Sequence, residues 1–345
     1  MGDLRLGLNT GYWAGGPPPG MQDTILEAEK LGYDSIWTAE AYGSDCLTPL
    51  AWWGSHTERI RLGTAIVQMS ARQPAATAMA AMTMDHLSGG RFVLGLGVSG
   101  PQVVEGWYGM PFPKPLARTR EYIGILRDIW ARKGPVTNDG PHYPLPIPEG
   151  TGLAKPLKSS IHPLREDIPI YLGAEGPKNV ALCAELCDGW LAMLVCPDNQ
   201  DMFNEYLDEG FARETARRTR EEFDVAATAP FIVTDDVEAA IDGMRPFYAL
   251  YFGGMGAKGA NFHANVPARM GYEDEIREIQ DLYLGGKKDE AMAKIPAELI
   301  EKMALVGPRD KIKHDLEAWR DSIVTTLLVQ GDAETMRTAA ELVLG

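Results

Sequence analysis

A regular alternation of short apolar segments with helix-forming segments most constrains the fold of this chain. In the first hundred residues, apolar runs occupy 4–9, 35–38, 60–67 and 92–96, and each is followed by a segment that has helical spacing or opens on a helix-starting proline. Short apolar strands that alternate with helices form parallel sheets whose faces are covered by the helices. The pattern therefore predicts an α/β protein with a parallel sheet.

The same alternation returns in the C-terminal half, where four more strands are predicted at 168–172, 189–195, 225–233 and 324–329. The helices predicted along the chain include 74–87, 119–130, 177–187, 201–220 and 334–344. Eight parallel strands with at least eight helices predict a closed (β/α)8 TIM barrel. Residues 1–345 are accordingly interpreted as one barrel domain.

Two stretches interrupt the alternation and are predicted to be insertions before the fifth and the eighth strand. Residues 134–168 contain seven prolines and little periodicity, and long loops of this kind are usually functional or mobile. Residues 253–308 begin rich in glycine and then become helical at about 274–284 and 289–295. The second insertion is compatible with a lid and equally with a helical hairpin on the surface.

Charge and cysteine content exclude several classes of protein. Lys and Arg number 33 against 48 Asp and Glu, so the formal net charge is −15. Nucleic-acid binders usually present a basic face, and an acidic surface repels anionic lipid, so neither nucleic acid nor a membrane is expected as a partner. Four cysteines in a chain this long do not form a disulfide framework, and no metal site is predicted. The chain opens directly on a strand pattern without a signal peptide, so a cytoplasmic location is expected.

Candidate site residues follow the strands, because active sites of such barrels lie at the C-terminal ends of the strands. Two glycine-rich loops, 97–100 and 173–176, follow the fourth and fifth strands, and each leads into a proline at the start of a helix. Free backbone N–H groups at helix N-termini bind phosphate or carboxylate, which suits an extended ligand with a phosphate. The alternative is that these glycines only permit tight turns.

Other chemistries find less support in the sequence. The run 95–100 fits the dinucleotide motif G-x-G-x-x-G, but it follows the fourth strand rather than the first, so NAD binding of the Rossmann kind is disfavoured. No G-x-S-x-G motif is present for a serine nucleophile. Glu40 and Glu175 could form a carboxylate pair for glycoside hydrolysis, although Glu40 could equally be a structural carboxylate.

The strand-end segments 38–45, 61–66, 85–91, 94–109 and 172–179, in their order and spacing, resemble the luciferase-like monooxygenase superfamily. Within it, the chain is most similar to the branch of coenzyme F420-dependent oxidoreductases. The resemblance covers nearly the whole chain. It implies a barrel that binds a flavin or deazaflavin at the C-terminal ends of the strands.

The resemblance also implies a set of site residues. A cis peptide at Ala65-Ile66 would support the central ring, and the cofactor phosphate and tail would meet the two glycine-rich loops. The cofactor-binding residues implied in this way are Thr38, Glu40, Ala65, Ile66, Gly97, Val98, Ser99, Gly100, Gly173, Ala174, Glu175 and Gly176.

The sequence departs from the sugar-phosphate dehydrogenases of this branch. Those enzymes carry an Asp-His pair after the second strand and a catalytic Glu after the fourth. Glu40 matches the Asp here, but Ala41 replaces the His and Gly100 replaces the Glu. Sugar-phosphate oxidation is therefore disfavoured, and Glu40 is left as the candidate catalytic residue for proton transfer.

Three functions follow, in order of preference. The first is an F420-dependent oxidoreductase that moves a hydride between the deazaflavin and a small organic substrate. The second is an FMN-dependent monooxygenase supplied with reduced flavin by a partner reductase, and the third is a flavin-binding barrel without turnover. The resemblance further implies a homodimer, for which Trp52 and Trp53 would suit the interface.

Overall fold

The structure, a computed structural model, describes residues 4–256 and 261–345. Its strands run in the same direction around a barrel, apart from one short pair outside it. The strands are β1 (Arg5–Asn9), β2 (Ser35–Thr38), β3 (Arg61–Thr64), β4 (Val67–Gln68), β5 (Phe92–Gly97), β6 (Ile170–Gly173), β7 (Gly189–Ala192), β8 (Asp224–Thr228), β9 (Phe231–Val233), β10 (Leu305–Gly307) and β11 (Thr326–Val329).

The barrel closes through a pairing between β3 and β5. The strands follow one another in the order β3-β2-β1-β11-β8-β7-β6-β5-β4, and β3 and β4 share one position because a short break separates them. Eight strand positions, all parallel, make a (β/α)8 TIM barrel, which confirms the predicted fold class.

Helices surround the barrel on the outside. They are α1 (Met21–Lys30), α2 (Leu47–Gly54), α3 (Pro74–Leu87), α4 (Pro101–Gly106), α5 (Pro115–Ala131), α6 (Pro177–Leu186), α7 (Gln200–Phe211), α8 (Val237–Ala249), α9 (Phe262–Pro267), α10 (Glu273–Leu284), α11 (Lys288–Ala293), α12 (Ala297–Lys302), α13 (Arg309–Arg320) and α14 (Ala333–Val343). Short 3₁₀ or π turns occupy Pro197–Asn199, Leu250–Gly254 and Ala268–Tyr272.

Closure of the barrel depends on small residues where strands meet large neighbours. A Cβ on Gly95 would lie 1.7 Å from the carbonyl oxygen of Thr64, and one on Gly63 would lie 2.3 Å from the Trp37 ring. Glycine at these two positions allows β5 to approach β3 and the Trp37 ring of β2 to lie against β3. The space gained is filled by a small buried cluster of interior side chains that includes Trp37 and Tyr171.

Charged groups close the N-terminal end of the barrel. The buried carboxylate of Asp224 lies 2.7 Å from Arg5 Nη2 and accepts hydrogen bonds from the hydroxyls of Tyr171 (2.5 Å) and Thr326 (2.9 Å). Burial alone would raise the pKa of Asp224, but the charge of Arg5 and these hydroxyl donors outweigh it and lower the pKa. The N-terminal end of the barrel is thus closed by polar side chains in fixed positions, and the C-terminal end remains available for a ligand.

Several predicted elements differ from the structure: the strand predicted at 189–195 ends at Ala192, and the helix predicted at 119–130 begins at Pro115. The third strand is divided into β3 and β4 at Ala65-Ile66. The seventh, predicted at 225–233, ends at Thr228, because Pro230 has no N–H for the ladder and β9 leaves the barrel to pair with β10. The helix predicted at 201–220 ends at Phe211, because the arginines beyond it turn towards buried acidic side chains on and after α6.

The two predicted insertions take different forms. Residues 134–168 contain no helix or regular strand, and their chain returns to the C-terminal end of the barrel at Tyr143, whose hydroxyl accepts a hydrogen bond from Arg118 (3.0 Å). The second insertion carries helices α9 to α12, with α10 and α11 close to their predicted positions. The pairing of β9 with β10 closes this helical segment at its base. Residues 257–260 of this insertion lie outside the described residues.

Candidate active site at the C-terminal end of the barrel

The ends of four neighbouring strands form a continuous floor. The carbonyl oxygen of Thr38 accepts a hydrogen bond from Ala65 N at 2.7 Å. The peptide Ala65-Ile66 is cis, and the Ile66 side chain lies 2.5 Å from where a Cβ on Gly97 would be and 3.3 Å from that of Gly173. The structure therefore brings together these predicted residues from four separate parts of the chain.

The two glycine-rich loops lie beside this floor. Ser99 has a φ of 58°, a conformation that favours glycine, and Gly100 precedes α4. Gly176 precedes α6 in an extended conformation, and its carbonyl accepts the first hydrogen bonds of that helix. Ala174 is buried, with its carbonyl oxygen bound by Trp190 Nε1 at 2.7 Å. Both loops therefore present their backbone at the same end of the barrel.

Glu40 lies in this region with its carboxylate fully engaged by the protein. Arg72 Nη1 donates to both oxygens, at 2.6 and 2.8 Å, and the backbone N and Sγ of Cys46 donate to Oε2 at 3.3 and 3.1 Å. Burial and the neighbouring Glu40 charge raise the pKa of the Cys46 thiol, which keeps it protonated as a donor. Gln68 Nε2 also binds the Glu40 carbonyl oxygen, at 3.2 Å. Glu40 thus ties the loop after β2 to β4.

Glu175 has a different environment. Its Oε1 lies 2.6 Å from His263 Nδ1, and the two side chains are 10% and 21% exposed. Within residues 4–256 and 261–345, Glu175 Oε2 and His263 Nδ1 have no hydrogen-bond partner. The close approach of Nδ1 to Oε1 is therefore not a well-directed hydrogen bond, and both groups keep unused hydrogen-bonding capacity.

Asn261 fixes the position of His263. Its Oδ1 accepts hydrogen bonds from the backbone N–H groups of His263 (3.1 Å) and Ala264 (3.2 Å), which caps α9. Its Nδ2 donates to the carbonyl oxygens of Tyr251 (2.8 Å) and Phe252 (3.0 Å). One buried amide therefore joins the backbone at Tyr251 and Phe252 to the first turn of α9, which presents His263.

An aromatic cluster continues from His263 across the end of the barrel. The Tyr251 ring meets His263 edge-on, with centroids 4.8 Å apart, and the Tyr251 hydroxyl lies beside that of Tyr12. Burial raises the pKa of the Tyr251 phenol, whereas the Tyr12 side chain is 58% exposed. Tyr12 follows β1 and Glu175 follows β6, which lie four strand positions apart. Tyr251 and His263 therefore link Tyr12, at the end of β1, to Glu175, at the end of β6.

Three buried acceptor atoms without partners lie at this end of the barrel. In the part of the chain that the structure describes, they are Gln68 Oε1, Glu175 Oε2 and Asn179 Oδ1. Gln68 is the last residue of β4, Glu175 follows β6, and Asn179 lies in the first turn of α6. Because buried polar groups are normally hydrogen-bonded, a ligand rich in donors fits here.

A small pocket adjoins the first glycine-rich loop. It is lined by Met69, Ser70, Val98, Phe112, Pro115, Arg118 and Tyr143. The Arg118 guanidinium donates to the carbonyl oxygen of Pro111 at 2.7 Å and lies 5.5 Å from the centre of the Tyr143 ring. This arrangement holds a positive charge beside Val98.

Sequence reasoning located the loops but missed the residues that complete the site. Arg72 and His263 had no motif to reveal them, because each contacts a carboxylate distant in the chain. Tyr251 and Asn261, which contact each other, lie at and within the second insertion, whose sequence carries no readable motif. Among the described residues, no group of three His, Cys, Asp or Glu side chains could hold a metal ion, and no helix is long and apolar enough to cross a membrane.

The fold and this site define a (β/α)8 barrel protein with unpartnered buried acceptor atoms at the C-terminal ends of its strands. The chain belongs to the luciferase-like monooxygenase family, whose model matches residues 7–326. It is 57% identical to a Mycobacterium tuberculosis protein named "putative coenzyme F420-dependent oxidoreductase", over 343 residues and 99% of each chain.

Two reductases extend the comparison. The 5,10-methylenetetrahydromethanopterin reductase of Archaeoglobus fulgidus is 34% identical over 231 residues, which cover 66% of this chain and 64% of the reductase. The solved structure of the coenzyme F420-dependent tetrahydromethanopterin reductase of Methanopyrus kandleri superposes with a TM-score of 0.78, covers 99% of each chain and is 22% identical. At 22% identity, the likeness to the Methanopyrus kandleri structure shows a shared fold only.

Proposed function

We propose that this protein is a coenzyme F420-dependent oxidoreductase that transfers a hydride between the deazaflavin and a small organic substrate. The observation that carries the proposal is the 57% identity, over 99% of both chains, with the mycobacterial protein of that name. A likeness of this extent includes every strand end at the C-terminal side of the barrel.

The polar groups of the site fit such a cofactor. A deazaflavin offers an imide N–H and ribityl hydroxyls as hydrogen-bond donors. The unpartnered atoms Gln68 Oε1, Glu175 Oε2 and Asn179 Oδ1 are all acceptors. Donor and acceptor inventories are therefore complementary.

Within this proposal each part of the floor has a role. Thr38, Ala65 and Ile66 would support the ring, and the backbones of 97–100 and 173–176 would bind the ribityl and phosphate groups. When bound, the deazaflavin supplies the carbon that gives or accepts the hydride. The chain orients it, and the cover formed by Tyr251 and His263 excludes water.

Glu40 takes a supporting part in the proposal. Its carboxylate is held by Arg72 at 2.6 and 2.8 Å, so both oxygens are already occupied by a contact within the protein. We assign it the positioning of Gln68 and the loop after β2, which frame the floor.

The pocket beside Val98 favours F420 over FMN. F420 carries a longer and more anionic tail than FMN, and Arg118 places a positive charge in this pocket, next to the 97–100 loop. An FMN-dependent monooxygenase would leave this charge without a cofactor partner.

An anaerobic assay tests the proposed activity. Reduced F420 is mixed with the protein and a panel of carbonyl, imine and activated-alkene compounds, and the return of the oxidised cofactor is followed by its visible absorbance. Turnover in the absence of oxygen is expected for at least one class. Binding of F420 without turnover of any class would instead support a flavin-binding barrel without activity, and turnover only with reduced FMN and oxygen would support the monooxygenase.

We further propose a cytoplasmic homodimer. The four cysteines are free, which suits a reducing compartment, and Trp52 on α2 is 68% exposed, whereas Trp53 is buried in the core. Light scattering after gel filtration should give twice the chain mass for the wild type. Trp52→Glu should give the monomer, and Leu153→Glu, at an exposed position of the 134–168 segment, should not. A wild-type monomer would contradict the assembly.

A further inference from the structure

Exposed aromatic side chains are concentrated in one region of this protein. Among residues 4–256 and 261–345, six aromatic side chains are exposed; five of them lie around the C-terminal opening of the barrel, and the sixth is Trp52 on α2. The five, here called the aromatic rim, are Tyr12, Tyr42, Trp107, Phe247 and Phe262. Single exposed apolar residues are ordinary on a protein surface, but a cluster of them marks a binding surface.

Contacts between separate loops bring three of these rings together. Tyr12 and Tyr42 follow β1 and β2, which are adjacent strands of the barrel. The Tyr251 hydroxyl lies beside that of Tyr12, and the Phe247 ring packs on the Tyr251 ring with centroids 4.4 Å apart. Rings from the loops after β1 and β2 therefore stand next to rings from the end of α8.

Two further contacts place Trp107 and Phe262 at the same opening. The Tyr108 hydroxyl donates a hydrogen bond to the carbonyl oxygen of Ala41 at 3.1 Å, which holds Trp107 beside the loop after β2. The Phe262 ring lies 3.5 Å from where a Cβ on Gly176 would be. The aromatic rim thus follows the edge of the opening from the loop after β2 to the loop after β6.

The aromatic rim is separate from the groups assigned to the cofactor. Those groups are Thr38, Glu40, the Ala65-Ile66 peptide and the loops 97–100 and 173–176, at the ends of β2 to β6. Every residue of the rim lies outside them. Because a hydride passes only between molecules in contact, the substrate must enter the same opening as the cofactor, and the rim offers it a surface of its own.

The chemistry of the aromatic rim is apolar and uncharged. None of its five side chains carries a formal charge at neutral pH. The nearby Glu40 carboxylate has its charge paired with Arg72. A phosphate or carboxylate on the substrate would therefore gain no cationic partner from the rim, and the net charge of −15 would oppose its approach.

We propose that the aromatic rim is the substrate-binding surface of this protein and that the substrate is a neutral, flat ring compound, aromatic or conjugated. This inference rests on the proposed hydride transfer with F420 and adds the substrate class to it. Flat rings stack on aromatic side chains or meet them edge-on, and a puckered saturated ring of the same size matches these contacts poorly.

Three matched probes test the substrate class on the protein saturated with oxidised F420. Coumarin is neutral, flat and conjugated; octahydrocoumarin has the same skeleton in saturated form; coumarin-3-carboxylate keeps the flat ring and adds a negative charge. Calorimetric titration should show coumarin bound about tenfold more tightly than either counterpart. Binding of either counterpart as tightly as coumarin, or no binding of coumarin, would overturn the proposal.

Variants of the rim test whether this surface holds the probe. Tyr12→Ala and Tyr42→Ala should each weaken coumarin binding about tenfold and change the Kd for F420 by less than about threefold. Tyr42→Phe keeps the ring and should bind coumarin as the wild type does. Leu284→Ala, which removes an exposed apolar side chain at the end of α10, is the matched control. Unchanged coumarin affinity in either alanine variant, or an equal loss in Leu284→Ala, would overturn the proposal.

Turnover separates this inference from the proposed function. If F420 does not bind the wild type, or binds and no compound is turned over, the proposed function fails and the substrate class falls with it. If turnover occurs only with aliphatic or anionic compounds, the proposed function stands and this inference is overturned. With reduced F420 we expect the lowest KM values for flat, neutral ring compounds, and Tyr42→Ala should raise them about tenfold without a matching fall in kcat.

Discussion

Arg72 determines what Glu40 does. Its guanidinium contacts both carboxylate oxygens, and the side chains of Arg72 and Glu40 are 24% and 4% exposed. A carboxylate buried to this degree needs its cation, because removal of one partner leaves an uncompensated charge. The pair is therefore important for the stability of the loop after β2.

Arg72→Ala tests this role. We expect the free energy of unfolding to fall by about 3 kcal/mol, because Glu40 would stay buried without its cation. Urea unfolding followed by circular dichroism measures the change. Arg277→Ala removes a comparable pair with Asp274 on the surface, where both side chains are more than 60% exposed, and should cost less than about 0.5 kcal/mol. Equal losses in the two variants would contradict the assignment.

At single positions, the sequence predicted where polar groups lie but not what they contact. Glu40 and Glu175 follow predicted strands, so the alternation of strands and helices alone predicts that both lie at the C-terminal end of the barrel. Their partners Arg72 and His263 lie 32 and 88 residues further along the chain. No local spacing encodes such contacts, because they depend on how the barrel and its insertion fold together.

At the scale of elements, the turn that presents His263 depends on one buried amide. Asn261 is 3% exposed and makes four hydrogen bonds, two to the backbone of α9 and two to the carbonyls of Tyr251 and Phe252. A buried group that joins two backbone segments stabilises their junction more than the rest of the fold. The positions of Tyr251 and His263, which cover the site, therefore depend mainly on Asn261.

Asn261→Ala should loosen the cover and leave the barrel intact. The loss of the cap and of two further hydrogen bonds should cost about 2 kcal/mol locally. Hydrogen exchange measured by mass spectrometry should become faster in 248–256 and 261–272 and stay unchanged in β5 and β6. Asn265→Ala, at an exposed position of the same helix, is the control. Unchanged exchange in Asn261→Ala would show that the cover is held by other contacts.

Element boundaries were predicted best where local signals agree. Helix α3 begins at Pro74 and ends at Leu87 as predicted, because a proline starts it and Ser88-Gly89-Gly90 stops it. The seventh strand was predicted too long, because the apolar residues continue past Pro230, whereas the hydrogen bonds between barrel strands end at Thr228. The helix after β7 was predicted too long for a related reason. The helical sequence pattern continues beyond Phe211, but the helix ends there, because Arg213 and Arg217 turn away to bind Glu185 and Asp188.

At the scale of the whole molecule, an ion-pair network joins separate helices. Glu185 on α6 binds Arg120 on α5 at 2.6 Å through both oxygens, and it also binds Arg213 beyond α7 at 2.7 Å. Hydrogen bonds from Arg120 lower the pKa of Glu185 from 4.5 to about 2, against the effect of burial. Helices from different parts of the barrel are thereby linked through one carboxylate.

This network predicts an acid-sensitive part of the stability. Because the pKa of Glu185 is lower in the folded chain, its contribution is complete above about pH 4.5 and is lost as the pH falls towards 2. Glu185→Gln should lower the free energy of unfolding by about 2 kcal/mol at pH 7, and the difference from wild type should shrink below pH 4.5. Urea unfolding between pH 7 and 3 measures it. Glu209→Gln, at an exposed partner of Arg213, is the control, and a difference independent of pH would contradict the account.

The barrel as a whole was accessible from the sequence. Eight apolar segments alternating with helices leave few topologies for a chain of this length, since parallel strands require crossover helices. The pairing of β9 with β10 was not accessible, because β9 was predicted as the end of the seventh barrel strand and β10 is a three-residue strand outside the alternation. Short strands depend on their partners more than on their own composition.

Calorimetric titration with oxidised F420 and, separately, with FMN tests the proposed function most directly. The account predicts that F420 binds at least 100-fold more tightly, a difference of about 2.7 kcal/mol, and that Arg118→Ala reduces this preference. Tighter binding of FMN would contradict the account and would direct the search to a reductase partner and oxygen chemistry. Binding of neither would leave the barrel fold standing and refute the cofactor assignment.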